Sequence, residues 1–202
     1  MQTKGELITG RQAKTYDYRG AVWNRIKARH LTLVNPQPGQ RVLDVGCGTG
    51  RTLQLLSQKC DKGVQLYGLE PSPDMLERAR AGLGKRAQIR QGFAQELPYP
   101  TAHFDFVIST QVLHHIPLVG KKEMLSEMHR ILKPGGTLVL SDWGKPTTTL
   151  GKIIGLLWRN HAYVQANRNI LTTGFLQTID LNTHEIVQFG VVHHLVGKKQ
   201  RE

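Results

Sequence analysis

Cysteine is nearly absent. The 202 residues hold two, Cys47 and Cys60, too few for a disulfide scaffold or for a zinc ribbon built on paired C-x-x-C knuckles. Long apolar runs are missing as well: no stretch reaches eighteen consecutive apolar residues, so no bilayer-spanning helix is expected. The first dozen residues, MQTKGELITGRQ, lack the apolar centre of a secretory leader, and a cytoplasmic location is the expectation. There is no internal repeat, and the 21 glycines follow no period, which excludes a collagen-like chain. No pattern of metal-ligand spacing occurs, so no metal site is expected.

Acidic residues are the scarce charge, 15 against 27 Lys and Arg, for a formal charge of +12. The excess sits at the ends. Residues 1–40 carry seven basic and two acidic residues and 143–202 carry seven and three, while 41–142 are nearly balanced at thirteen and ten. A basic chain can meet nucleic acid or an anionic membrane surface. Length suits one full-sized domain.

After the break Asn35-Pro-Gln-Pro-Gly39, short apolar runs alternate with stretches of helical period. Arg41–Val45 reads as a strand, followed by a helix with Leu53, Leu56 and Cys60 on one face. Val64–Leu69 is the second strand. Ser72-Pro73 then gives an N-cap and a first-turn proline, with Met75, Leu76 and Ala79 as the buried stripe. Ala87–Gln91 and Phe104–Ile108 read as the third and fourth strands. Met124, Leu125, Met128, Ile131 and Leu132 fall at helical spacing between Leu118 and Leu132. Lys133-Pro-Gly-Gly136 is expected to stop that helix before a fifth strand, Thr137–Leu140. Near-continuous apolar strands separated by helices predict an open α/β sheet covered on both faces.

Further on, Leu150, Ile153, Ile154, Leu157 and Trp158 lie at helical spacing, and the favoured reading is that this stripe covers the sheet. Leu176–Leu181 is expected to be a strand, Asn182-Thr183 a turn, and Glu185–Val196 a long returning strand. His193 and His194 on it read as ordinary sheet residues.

Val42-Leu-Asp-Val-Gly-Cys-Gly-Thr-Gly50 carries the site. Glycines between a strand and a helix let a ligand lie against bare backbone at the carboxyl edge of the sheet. A dinucleotide site would read G-x-G-x-x-G, with pyrophosphate on the helix N-terminus. Here the spacing is G-x-G-x-G, and Arg51 stands where the last glycine would fall. Asp44, two residues ahead of the loop, would repel a pyrophosphate but suits a ligand with an ammonium and a sulfonium. Charge therefore favours S-adenosylmethionine. Glu70, twenty residues beyond Gly50, can accept both ribose hydroxyls of an adenosine, a feature common to both ligands.

That loop, together with Gly68-Leu-Glu-Pro-Ser-Pro-Asp-Met-Leu76, Gln95-Glu-Leu-Pro-Tyr-Pro100, Phe104-Asp-Phe-Val-Ile-Ser109, Leu113-His-His-Ile116 and Leu132-Lys-Pro-Gly-Gly136, resembles class I S-adenosylmethionine-dependent methyltransferases. The likeness is to the small-molecule branch that includes ubiquinone- and menaquinone-biosynthesis-type enzymes, and it runs over about residues 41–142. It implies a Rossmann-like, seven-stranded, mostly parallel sheet with an antiparallel final strand and helices on both faces. It also implies a small-molecule methyl acceptor, with S-adenosylhomocysteine as the cofactor product. Residues 1–40 would form a helical lid on a methyltransferase domain of 41–202, the whole being one globular unit.

Carried over by resemblance, Asp44, Gly46, Cys47, Gly48 and Gly50 would wrap the methionine part of the cofactor and Glu70 would take the ribose. Pro71 or Met75 would flank the adenine, and the Ala94-Gln95 backbone would meet its edge. Ser109 and, from the N-terminal segment, Tyr16 complete the set. One position departs: Phe93 stands where the family usually has an aspartate for the adenine amino group, so weaker cofactor affinity is expected.

Methyl transfer from a sulfonium is an in-line displacement that requires no obligatory catalytic residue. A base is needed only where the acceptor must lose a proton. His114, His115 and Asp142 are the candidates. A structural turn is the preferred reading of Leu-His-His-Ile, and helix capping competes at Asp142. Nucleic acid as acceptor lacks support from any RNA-binding module, stacking array or Asn-Pro-Pro-Tyr-type signature. A non-catalytic cofactor-binding module and peripheral membrane contact through the basic, amphipathic 150–158 stretch are the remaining alternatives. Oligomeric state is not legible here.

Overall fold

The computed structural model describes residues 4–5, 7–18, 20–156 and 181–201. Two helices, α1 (Gly10–Thr15) and α2 (Gly20–Thr32), precede the sheet. Then follow β1 (Arg41–Val45), α3 (Arg51–Lys59), β2 (Gln65–Glu70), α4 (Pro73–Leu83), β3 (Ala87–Gln91), β4 (Phe104–Thr110) and α5 (Leu118–Ile131). The chain continues with β5 (Leu132–Trp143), α6 (Thr149–Leu156), β6 (Leu181–Gln188) and β7 (Val192–Lys199). Among the described residues the sheet has seven strands in the order β3-β2-β1-β4-β5-β7-β6. β1 to β5 are parallel, and β7 runs antiparallel between β5 and β6. The Rossmann-like sheet with a reversed final strand is thus as the sequence implies.

Alternation along each strand divides the core into two layers. Leu43, Val45, Val107, Leu138 and Leu140 face Met124, Leu125, Met128 and Ile131 of α5. Val42, Leu66, Ile108 and Val139 face Leu53 and Leu56 of α3 and Leu76, Ala79 and Leu83 of α4. The Ser72 hydroxyl caps α4 by accepting from the Met75 amide at 3.4 Å, with Pro73 in the first turn.

Three expectations are corrected. β5 begins at Leu132 rather than after the glycines: Phe104 pairs with Leu132 and Phe106 with Thr137, so residues 133–136 form a bulge within the strand. The turn expected at Asn182-Thr183 lies inside β6, and the long returning strand is broken at Phe189-Gly190. Those two residues adopt φ of 55° and 67°, the left-handed geometry of a tight hairpin. Third, the described residues of the expected apolar stripe, Leu150 and Ile153, do not cover the sheet. Leu150, Ile153 and Leu156 are 58%, 59% and 59% exposed, whereas Gly151 and Gly155 are buried. A Cβ on Gly151 would sit 2.1 Å from the Gly190 carbonyl, so the helix abuts the hairpin through its glycine side. Leu157, Trp158 and the strand expected at 176–181 fall outside the described residues, apart from Leu181, which opens β6.

Behind β5 lies a buried polar chain whose proton positions follow from its ends. The Gln188 amide nitrogen donates to the Arg25 carbonyl at 3.4 Å, so its oxygen accepts from His194 Nε2 at 2.9 Å. His194 Nδ1 is then bare and accepts from the Ser141 hydroxyl at 2.6 Å. Ser141 in turn accepts from His30 Nδ1, leaving His30 Nε2 as a bare buried nitrogen, and that atom is one without a partner among the described residues. Burial pushes the His30 pKa down to about 3 and the His194 pKa down to about 4.

Candidate functional site

At the carboxyl edge of β1, β2 and β4 opens a cleft of about 660 Å³ including the open solvent at its mouth. Its floor is the glycine loop. The Gly46 and Cys47 amides both donate to the Leu69 carbonyl, at 2.8 and 3.0 Å, pinning the loop to the end of β2. Gly46 is held at φ 72°, and a Cβ there would lie 2.5 Å from a Val112 methyl. Only glycine lets the backbone form this wall.

Glu70 ends β2 with its carboxylate already aimed. One oxygen accepts from the Gly48 amide and the other from the Ser72 amide, each at 2.9 Å. Each oxygen keeps a second acceptor position for a ligand hydroxyl. Burial raises the Glu70 pKa, and those two amide bonds oppose the rise. Asp44 lies beneath, 2% exposed, and burial pushes its pKa up to about 7 against the pull of Lys27. Two buried acids under a glycine loop, next to each other's field, are stabilised in their charged form by a cation and not by phosphate.

The N-terminal segment crosses the opening. The Ser72 hydroxyl donates to the Ile8 carbonyl at 2.6 Å, and the Gly10 amide to Asp74 at 2.6 Å. Asp17 accepts from the Thr49 hydroxyl at 2.7 Å and pairs with Arg78 at 2.6 Å, and Arg78 also donates to the Ala13 carbonyl. The Lys4 ammonium lies 4.3 Å from the centre of the Phe93 ring. Gly5, Leu7, Ile8 and Tyr16 thereby line the cleft.

Of the residues singled out from the sequence, Tyr16, Gly46, Gly48, Glu70, Pro71, Met75, Ala94, Gln95 and His115 are brought together as lining. Asp44, Cys47, Gly50, Ser109, His114 and Asp142 are not among the lining residues. Gly50 is the left-handed N-cap of α3, and the Ser109 hydroxyl donates to the Val45 carbonyl at 2.9 Å, tying β4 to β1. His114 Nδ1 meets Asp142 at 2.8 Å, both buried. Burial opposes ionisation of Asp142, but His114 and the Trp143 and His114 amides hold its pKa below the ordinary value. The two imidazoles stand 4.0 Å apart between centroids, so the buried pair backs the ring of His115.

Gln111 escaped the sequence reading. It lines the cleft at φ 61°, donates its backbone and side-chain nitrogens to the Ser141 carbonyl at 2.7 and 3.5 Å, and turns its side-chain oxygen away. That oxygen is buried without a hydrogen-bond partner among the described residues. A polar residue directly after a buried strand at the carboxyl edge was the available signal. Val112 and Ile116 also line the cleft.

Residues 43–140 match the family model described as a methyltransferase domain. An uncharacterised methyltransferase of Synechocystis sp. is 36% identical over 113 residues, 56% of this chain and 51% of that protein. A demethylmenaquinone methyltransferase of Staphylococcus epidermidis is 35% identical over 130 residues, 63% and 53% of the two chains. The chain spans about half the length of these curated relatives. Among solved structures, a Haloferax volcanii methyltransferase in complex with the Trm112 activator superposes with a TM-score of 0.71 at 19% identity over 93% of both chains, a likeness of fold. With its glycine loop, its Glu70 at the end of β2 and its reversed last strand, the region 43–140 is similar to the methyltransferase domains of class I S-adenosylmethionine-dependent enzymes.

Proposed function

We propose that the protein transfers the methyl group of S-adenosylmethionine to a small-molecule acceptor bound between the N-terminal segment and the His115–Gln111 wall. The observation that carries this is the pairing of a backbone-walled loop with two buried acids, Asp44 and Glu70. That donor set fits an adenosine bearing positive charge. Glu70 would hold the ribose, Gly46 and Gly48 the methionine chain, and Met75 and Pro71 one face of the base. Ala94 and Gln95 would meet the base edge. Asp44 would act from beneath the loop as an electrostatic complement to the ammonium. Cys47, Gly50 and Ser109 would hold the loop's shape.

When bound, the cofactor supplies an electrophilic methyl group and its own leaving group. The chain's residues align the acceptor and keep water away. His115 is the residue placed to take a proton from an acceptor that must lose one, with His114 and Asp142 fixing its ring from behind. Residues 1–40 would serve as a lid, pinned by Asp17 and Asp74, on a domain of residues 41–202. The relatives' names, a demethylmenaquinone methyltransferase and a probable tocopherol O-methyltransferase of rice among them, favour a small organic acceptor over nucleic acid.

Calorimetry tests the cofactor: S-adenosylhomocysteine should release heat at one site per chain. Silence there with a clear signal from a nicotinamide dinucleotide would overturn the reading. A screen of metabolite pools for S-adenosylhomocysteine production then identifies the acceptor.

A further inference from the structure

Among the described residues six large apolar side chains are exposed: Leu7, Leu118, Val119, Leu150, Ile153 and Leu156. Their places in the chain are not scattered. Leu118 and Val119 open α5, the helix that follows β4, and the other three helical residues lie on α6, which follows β5. β4 and β5 are adjacent and parallel, so both segments leave the sheet side by side at its carboxyl edge. Leu7 lines the cleft that opens at that same edge. Gly151 and Gly155 of α6 are buried, and Leu150, Ile153 and Leu156 face out.

Charge on these segments has one sign. Residues 111–122 and 143–156 contain no Asp or Glu, and Lys122, Lys145 and Lys152 are exposed within them. We propose that this edge docks on a bilayer surface bearing anionic headgroups, with the α6 aliphatic residues entering the acyl boundary and the lysines meeting phosphates. Leu, Ile and Val beside Lys is the composition of an interfacial helix. Protein interfaces are instead depleted in Lys and enriched in aromatics and Arg, and single-stranded nucleic acid would call for exposed rings to stack on. Docking itself does not depend on the methyltransferase reading. Its consequence does: with the mouth of the cleft on the docked edge, the acceptor would be an apolar compound drawn from the membrane.

The test is flotation of the full chain with vesicles of phosphatidylcholine alone or mixed with phosphatidylglycerol, at low and high salt. Recovery with the anionic vesicles should exceed that with neutral ones by about tenfold at low salt, falling as salt rises. The double variant Leu150→Asp/Ile153→Asp should lose recovery on both vesicle types. Lys145→Glu/Lys152→Glu should lose only the preference for anionic lipid. Every variant is titrated with S-adenosylhomocysteine, and unchanged binding certifies the fold. Recovery independent of vesicles, recovery unaffected by either double variant, or a concentration-dependent dimer that Ile153→Asp abolishes would each overturn docking. Vesicle binding without S-adenosylhomocysteine binding would keep docking and sink the methyltransferase reading alone.

Discussion

Asp44→Asn should make the protein more stable and worse at holding its cofactor, and the two effects should share one pH dependence. Burial moves the Asp44 carboxyl from an ordinary 3.8 to about 7. At about 1.4 kcal/mol for each tenfold change in proton affinity, keeping it ionised in the folded chain costs about 4 kcal/mol. The sign follows from the two states. Below pH 3.8 both folded and unfolded chains carry the proton and nothing is lost. Between 3.8 and 7 the unfolded chain ionises while the folded chain does not, so stability falls with rising pH, and above 7 the loss is constant. Asparagine removes this penalty. Urea unfolding should show the variant ahead by about 2 kcal/mol at pH 5.5 and by about 4 kcal/mol at pH 8. S-adenosylhomocysteine should bind the native chain more tightly as pH rises through 7, because the ionised carboxyl attracts its ammonium. The variant should show a flat profile. A stability difference that does not change with pH, or a less stable variant at pH 8, would refute the account of Asp44 as a strained acid awaiting a cation.

Phe93→Asp restores an acceptor beside the adenine position and places it within reach of Lys4, so calorimetry should read several-fold tighter S-adenosylhomocysteine binding. Arg78→Ala removes one of the two partners of Asp17 and the donor to the Ala13 carbonyl, and should raise proteolysis of the N-terminal segment and weaken cofactor binding while the thermal midpoint of the sheet barely moves. Gly46→Ala should cost about 2 kcal/mol or more through its left-handed φ and the Val112 contact, with part recovered in Gly46→Ala/Val112→Ala. His30 and His194 must stay neutral in the fold, so stability should fall as pH drops below 6.5, at up to about 2.7 kcal/mol per pH step while both remain unprotonated in the folded state. Urea midpoints measured from pH 7 to pH 5 in the Asp44→Asn background, where the opposing titration of Asp44 is absent, check this.

The parallel half of the sheet was legible because burial on both faces leaves unbroken apolar runs such as Phe104–Ile108, and because Ser72-Pro73 and the glycine loop mark where each helix begins. The antiparallel half was not. Phe189 adopts a left-handed φ that its residue type does not advertise, and only Gly190 beside it hints at the hairpin. The stripe on α6 has true helical spacing, but periodicity identifies which residues share a face and not whether that face meets the sheet or the solvent. Gly46, Gly48 and Glu70 could be placed at the cleft from sequence because a strand end and the loop after it are local features. The partition of His114 from His115 could not be, since it depends on Asp142, 28 residues away. Gln111 depends likewise on a carbonyl 30 residues distant.

Ser141 reaches three parts of the molecule at once. Its carbonyl fixes Gln111 at the cleft, while its hydroxyl joins α2 to the C-terminal hairpin. With a single hydrogen to give, that hydroxyl sets a direction for the whole chain of imidazoles. Loss of the hydroxyl would leave His30 Nδ1, a donor, and His194 Nδ1, an acceptor, without the partner they share. In the course of sequence drift, then, Ser141, His30 and His194 would have to change as a set.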